Sequence, residues 1–149
     1  MSDEIDVISV IGLGYVGLPT AAVIANRGLQ VVGVDVNPDV VATITRGETP
    51  LIESDLDILV KSGVSSGNLK AVSTPEPADV FLISVPTPFK DDHTPDLSYL
   101  EAAINNLAPV ISKGNLIILE STSPVGTTEK IRDWLSSLRS NLALPGQDP

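Results

Sequence analysis

Apolar runs alternate with amphipathic stretches along this chain, and their order predicts an α/β protein. The run Ile5–Ile11 is mostly β-branched and nearly free of charge, as a strand buried on both faces of a parallel sheet must be. Further strand-like runs follow at Gln30–Val34, at the short Lys70–Ser73, at Val80–Val85 and at Asn115–Leu119. Between them lie helical patterns. Ala21, Ala22, Val23, Ile24 and Ala25 predict a first helix that runs to about Arg27, with Gly28 as its stop. Pro19 removes one N–H from that helix, which is tolerable so near its start. A second helix is expected from about Asp39 to Arg46, and a third from about Asp55 to Lys61 behind a Ser54 cap. Leu97, Leu100, Ile104 and Leu107, spaced three and four apart, mark the buried stripe of a helix over about Asp96–Val110. The last helix is expected to use Ser123 as cap and Pro124 as first residue, to reach about Arg139, and to bury Ile131, Leu135 and Leu138.

These elements predict a Rossmann-type doubly wound parallel sheet in the order 3-2-1-4-5, ending before a sixth strand. The weak run Lys70–Ser73 falls at its edge. Winding changes side between the first and fourth strands, so the loop after Val85 should face the crevice where such sheets bind ligands. Residues 1–140 read as one domain, and 141–149 as the start of a linker to a part that is absent.

The turn Gly12-Leu13-Gly14-Tyr15-Val16-Gly17 has the spacing G-x-G-x-x-G and the required strand before it and helix after it. Gly12 would permit the tight turn, Gly14 would let backbone approach a pyrophosphate, and Gly17 would allow close helix–strand contact. Backbone N–H groups at the helix start would then face the phosphates. Asp35 ends the second strand, 23 residues after Gly12, near the spacing of about 20 expected for a ribose-binding acid. Its charge would repel the 2′-phosphate of NADP, and no Arg or Lys lies between Asp35 and Thr45, which favours NAD. A plainer role for Asp35 is to cap the helix that begins near Asn37-Pro38.

Composition narrows the classes. Hydrophobic residues make up 42% of 149 positions and aromatics only 3%, so Val, Ile, Leu and Ala must fill the core of a single domain. No run of 18 apolar residues occurs and Ser2-Asp3-Glu4 lacks the basic start of a signal peptide, which gives the expectation of a soluble cytoplasmic protein without a membrane partner. A net charge of −10 opposes binding to nucleic acid. With no cysteine there is no disulfide, thiol nucleophile or Cys-based metal site.

Thr87 and Thr122 fall just past the carboxyl ends of central strands, where each hydroxyl could meet a nicotinamide ribose, a phosphate or a water, or could satisfy backbone in its own turn. His93, the only histidine, sits in a Pro-flanked acidic loop without the further ligands that a metal requires, and reads as a solvated loop residue. Glu120 could act as a base, although a carboxylate leaving a strand is more often a loop hydrogen-bond acceptor.

Three blocks taken together, Gly12-Leu-Gly-Tyr-Val-Gly-Leu-Pro19, Val85-Pro-Thr-Pro88 and Glu120-Ser-Thr-Ser-Pro-Val-Gly126, resemble the N-terminal NAD-binding domain of the UDP-glucose/GDP-mannose dehydrogenase family. Phe89-Lys90, Pro95–Tyr99 and Leu119–Lys130 look most like the branch that oxidises UDP-N-acetyl-D-mannosamine. The resemblance implies an NAD-dependent, four-electron oxidation of a nucleotide-sugar C6 alcohol to a carboxylate, through a thioester on cysteine, that serves polysaccharide biosynthesis. It implies that Tyr15 and Val16 line the pyrophosphate turn, that Asp35 holds the adenosine ribose, and that Thr87 and Thr122 contact the nicotinamide half. Thr122 would also border the reacting sugar, as its catalytic residue within this chain. The Lys or Arg that many members carry about five residues past the ribose acid is here Val40. The family's catalytic cysteine, its UDP-sugar domain and its dimerising helix would lie beyond Pro149, so the resemblance implies a homodimer or larger assembly for the whole protein and no turnover by these 149 residues alone.

Overall fold

In the computed structural model, which describes residues 4–145, the sheet is built around β1 (Val7–Ile11). β2 (Gln30–Val34) pairs on one side and β4 (Val80–Ile83) on the other; β3 (Leu69–Val72) and β5 (Leu116–Leu119) form the edges. All four pairings are parallel, and the order β3-β2-β1-β4-β5 is the one the sequence predicts.

Alternation along the strands divides the core in two. Ile8 and Val10 of β1 join Val31, Leu69 and Val80 in a cluster with the helices α1 (Gly17–Asn26), α2 (Pro38–Thr45) and α3 (Leu56–Ser65). Ile11, Val32, Val34, Phe81 and Ile83 point the other way, under α4 (Ser98–Leu107) and α5 (Thr127–Leu138). Burial of these side chains drives the assembly, at roughly 1.5–3 kcal/mol for each large aliphatic or aromatic group. The α1 contact is close because Ala21, Ala22 and Ala25 are almost wholly buried. β5 lacks such cover on the α1 side, where Leu116 and Ile118 are 52% and 40% exposed.

Several local expectations are corrected. Asp55, not Ser54, stands at the start of α3, at φ +63, and Leu56 N–H donates to the Glu53 carbonyl, so a backbone turn replaces the hydroxyl cap. That helix also runs past Lys61 to Ser65, because Gly63 lets it lie against Ala25 and Leu69. The start of α5 moves from Pro124 to Thr127: the Pro124 carbonyl accepts both the amide and the hydroxyl of Thr127, and Gly126 at φ +88 takes the cap position assigned to Ser123. Leu138 is 45% exposed rather than buried. Beside it Arg139 turns inward to donate to the carbonyls of Ala108 and Ile111, and Trp134, Leu142 and Leu144 pack against the cluster. The fourth helix starts at Ser98 and ends in a 3-10 turn at Ala108–Val110, where Pro109 has no N–H to continue the α ladder. Among the described residues, no helix is long and apolar enough to cross a membrane.

One polar atom in this core has no partner. Ser9 is wholly buried on β1, level with Val32 and Phe81, and its Oγ makes no hydrogen bond. An unsatisfied buried hydroxyl costs about 1–3 kcal/mol. Ser9→Ala is therefore expected to raise the unfolding free energy by about 1 kcal/mol, with a rise in Tm of roughly 2–4 °C, measured by thermal and denaturant unfolding.

Candidate functional site

The carboxyl ends of the five strands are tied together by a row of amides. Asp35 N–H donates to Val72 at 3.1 Å, Gly12 N–H to Val34 at 2.8 Å, Ser84 N–H to Ile11 at 2.7 Å and Glu120 N–H to Ile83 at 2.9 Å. Each residue just past a strand thus closes the ladder of its neighbour, which brings every strand exit to one level. Against this rim lies the glycine turn. Gly12 has φ +93, and a Cβ on it would stand 2.6 Å from the Ser84 carbonyl oxygen. A Cβ on Gly17 would overlap the carbonyl oxygen of Gly12. Gly14 differs from both, since nothing lies within 4 Å of a Cβ built there. Space at Gly14 is open on the ligand side, whereas at Gly12 and Gly17 the protein itself fills it.

Leu13 anchors the turn. It is buried against Gly33 of β2, where a Cβ would meet the Leu13 methyls at 2.9 Å, and its amide donates to Asp35 Oδ2 at 2.9 Å. The other oxygen of Asp35 accepts the Asn37 amide at 2.9 Å. Asp35 is therefore no helix cap; Asn37 caps α2, its side chain accepting from Asp39 N–H. With one hydrogen bond on each oxygen, the half-buried carboxylate keeps lone pairs for two further donors such as vicinal ribose hydroxyls. The start of α1 carries no side-chain cap; Leu18 and Thr20 N–H donate to the Gly14 and Val16 carbonyls and Pro19 has no N–H, so the amides left to an anion are those of Tyr15, Val16 and Gly17 at the turn into the helix.

The loops after β4 and β5 meet across the rim. Thr87 Oγ1 donates to the Thr122 carbonyl, and Ser121 Oγ lies 2.8 Å from the Val85 carbonyl. Both threonines open onto one cleft of about 610 Å³, which also contains Gly12, Gly14, Tyr15, Val16 and Asp35. That volume suits a cofactor, since small-molecule sites span about 300–1,000 Å³. Gly17 lies beneath the cleft rather than in its wall. The open space at Gly14, the uncapped helix start and the placed carboxylate fit a dinucleotide.

Other wall residues escape sequence reasoning. Ser73 and Pro75 follow β3, and the rule that ligands bind at strand exits could have found them. Tyr99, Ala102 and Asn106 form a second stripe of α4, beside the buried one, and spacing alone does not mark it as facing a ligand. Glu120 is not a wall residue: it accepts hydrogen bonds from Thr20 and Ser84. His93 sits exposed at φ +62 in a small hairpin closed by a Phe89–Pro95 bridge, and among the described residues no group of three or more His, Cys, Asp or Glu could hold a metal.

This chain matches the model of the UDP-glucose/GDP-mannose dehydrogenase family, NAD binding domain, over residues 6–145. The chain belongs to that family. It is 57% identical over 140 residues to the NDP-N-acetyl-D-galactosaminuronic acid dehydrogenase of Ralstonia nicotianae and, at the same identity and length, to the UDP-N-acetyl-D-mannosamine dehydrogenase of Escherichia coli. Each match covers 94% of this chain and 33% of the relative, so the chain spans about a third of the curated relatives it matches. The UDP-D-ManNAc dehydrogenase structure from Pyrococcus horikoshii superposes with a TM-score of 0.87 at 43% identity, covering 92% of this chain and 33% of that one. A GDP-mannose dehydrogenase from Pseudomonas aeruginosa, solved as a ternary complex, gives 0.86 at 29% identity, covering 91% and 33%.

The two kinds of glycine separate in their expected effects. Gly14→Ala should leave Tm unchanged and weaken NADH binding by roughly tenfold or more, through a methyl pushed toward the pyrophosphate. Gly17→Ala should instead lower Tm sharply, because the Gly12 carbonyl backbone that the methyl would meet cannot yield and Ser84 Cβ closes the space beside it. Calorimetric titration beside thermal unfolding checks both.

Acid should act on the hairpin in a defined window. The Thr94 hydroxyl and amide, with the Lys90 charge, hold the Asp92 carboxyl below its ordinary 3.8, and the Ser98 hydroxyl and amide do the same for Asp96. A depressed pKa contributes stability that is complete above the unfolded value and is lost as pH falls through the folded one. The Thr94 and Ser98 amide resonances should therefore move with acid along titration curves whose midpoints lie below 3.8. Asp92→Asn should abolish that movement at Thr94.

Proposed function

We propose that this chain is the NAD-binding part of a nucleotide-sugar 6-dehydrogenase that acts on UDP-N-acetyl-D-mannosamine in the cytoplasm, for polysaccharide biosynthesis. The observation that carries the reading is that the glycine turn, Asp35, Thr87 and Thr122, spread over 110 positions of sequence, open onto a single cleft. Bound there, NAD supplies the hydride acceptor. The chain's own residues bind and orient it. Amides at the start of α1 take the pyrophosphate, Asp35 accepts the adenosine ribose hydroxyls, and Asp35 excludes a 2′-phosphate by charge.

Thr87 and Thr122 serve the nicotinamide half. The Thr87 hydroxyl donates to the Thr122 carbonyl and so keeps lone pairs for a ligand, and Thr122, which lines the same cleft, would border the sugar with its hydroxyl. Catalysis needs a thiol for the thioester route, and these 149 residues contain none. The remaining two thirds of the protein would supply it.

A second reading changes only the sugar. The relative named for an N-acetylgalactosaminuronic acid product shares the same 57% identity over the same 140 residues as the mannosamine enzyme, so NDP-N-acetyl-D-galactosamine is the competing substrate.

Titration with NADH and NADPH tests the cofactor reading. NADH should bind and NADPH should bind at least about tenfold more weakly. Asp35→Ala should cost NADH about tenfold or more, the loss expected for hydrogen bonds to a charged group, and should narrow the gap to NADPH. Equal binding of both dinucleotides would overturn the role of Asp35. A chain extended through the missing two thirds, offered both sugars, should form NADH with the UDP-N-acetylmannosamine; preference for the galactosamine would select the second reading. Steady NADH formation by the 149-residue chain alone would overturn the dependence on an external cysteine.

A further inference from the structure

Behind the cleft wall, one carboxylate touches three of the elements that build the site. Glu120, the first residue after β5, accepts the Thr20 hydroxyl on Oε1 at 2.7 Å and the Ser84 hydroxyl on Oε2 at 2.6 Å. Thr20 lies in the first turn of α1, the helix that starts at Gly17; Ser84 is the first residue after β4. All three are half-buried, and Glu120 is in none of the ion pairs among the described residues. A carboxylate held only by hydroxyls, with both oxygens used, makes short charge-assisted bonds of fixed direction.

What these bonds locate matters more than their strength. Ser84 is the residue against which the glycine turn is wedged: its carbonyl bounds Gly12, and its Cβ would lie 3.1 Å from a Cβ on Gly17. Through Ser84, Glu120 sets how far β4 stands from the turn. Through Thr20, it sets the start of α1. Through its own backbone it sets Ser121 and Thr122, one and two residues on. We infer that Glu120 is a positioning residue, which fixes the distance between the phosphate-binding turn and the Thr87–Thr122 rim and so lets a single dinucleotide engage both. Neither Glu120 nor Thr20 lines the cleft, so their effect on a ligand must pass through Ser84, α1 and the β5 exit.

Loss of the clamp should spare the fold. Thr20 Oγ1 also lies 3.0 Å from the Val16 carbonyl, one turn back, and can donate there when the carboxylate is gone. Asp35, on the far side of β1, depends on Leu13 and Asn37 instead. A ligand that uses only the adenosine side should therefore be indifferent to Glu120, and one that spans the cleft should not.

The inference rests on the NAD reading, and its test uses adenosine, which carries no phosphate, and NADH on the same 149-residue chain. Glu120→Ala and Thr20→Val should each weaken NADH by roughly tenfold while changing adenosine by less than about twofold, and the double variant should be no worse than Glu120→Ala, since residues that act as a unit are not additive. Glu120→Gln, which keeps the length and one acceptor, should recover most of the NADH affinity. Equal losses for adenosine and NADH, or no loss for either in folded protein, would overturn the clamp. Amide resonances of the ligand-free chain supply a readout that needs no cofactor. In Thr20→Val, shifts at both the 12–17 turn and residues 121–122 support the clamp, and shifts confined to the turn around Thr20 overturn it. Wild-type protein that binds neither ligand would overturn the cofactor reading, leaving the clamp to be decided by those resonances.

Discussion

The contact of bare backbone with backbone at the glycine turn is the constraint on which the rest of the site depends. Ser84 carbonyl, Gly12 and Gly17 meet so closely that a methyl on either glycine has no room. Because they meet, α1 can rise directly from the end of β1 while β4 stays hydrogen-bonded beside it. Because α1 rises there, its uncapped first turn faces the rim where all five strands end. Most proteins satisfy a helix start with a serine or aspartate side chain. Here such a side chain would occupy the place an anion needs.

A second consequence runs through β2. Gly33 is a poor strand former, yet a Cβ at that position would stand 2.9 Å from the Leu13 methyls and displace the side chain that anchors the turn. The residue that weakens the strand locally thus makes the loop rigid. The same trade sets the polar contacts of the rim. The carboxylates of Asp35 and Glu120 are paired with amides or hydroxyls rather than with cations, so their positions follow from the backbone and not from long flexible side chains.

The sheet was legible from sequence because its central strands β1, β2 and β4 bury nearly continuous apolar runs, and because the order of helices and strands leaves few right-handed ways to connect them. The G-x-G-x-x-G turn and Asp35 were legible for a different reason: their chemistry requires fixed spacing. Helix starts were not. Ser54 and Ser123 each have the side chain of a cap, but capping is decided by dihedral angles further on, one residue along at Asp55 and three along at Gly126, which composition does not report. Leu138 continues the apolar period of α5, and only the path of Arg139 back to the Ala108 and Ile111 carbonyls shows that the core has ended there. The partners of Glu120 lie 36 and 100 positions away. No local pattern could name them.

The charge of the cleft follows from this architecture. The protein carries a net charge of −10, and no lysine or arginine lines the cleft that fits a pyrophosphate. Among the described residues, therefore, no cation stands ready to pair with a phosphate. What this chain offers an anion is the set of oriented amides at the turn into α1, whose partial positive charge acts over the first turn and weakens quickly beyond it. Such a site has little reach into solvent, where the overall charge repels an anion, and it discriminates by distance once the anion has arrived. Small displacements of α1 then matter more than they would beside a mobile lysine. That is why the turn is wedged by glycines on one side and why a carboxylate–hydroxyl bridge one turn into the helix, at Thr20, bears on a site it does not touch.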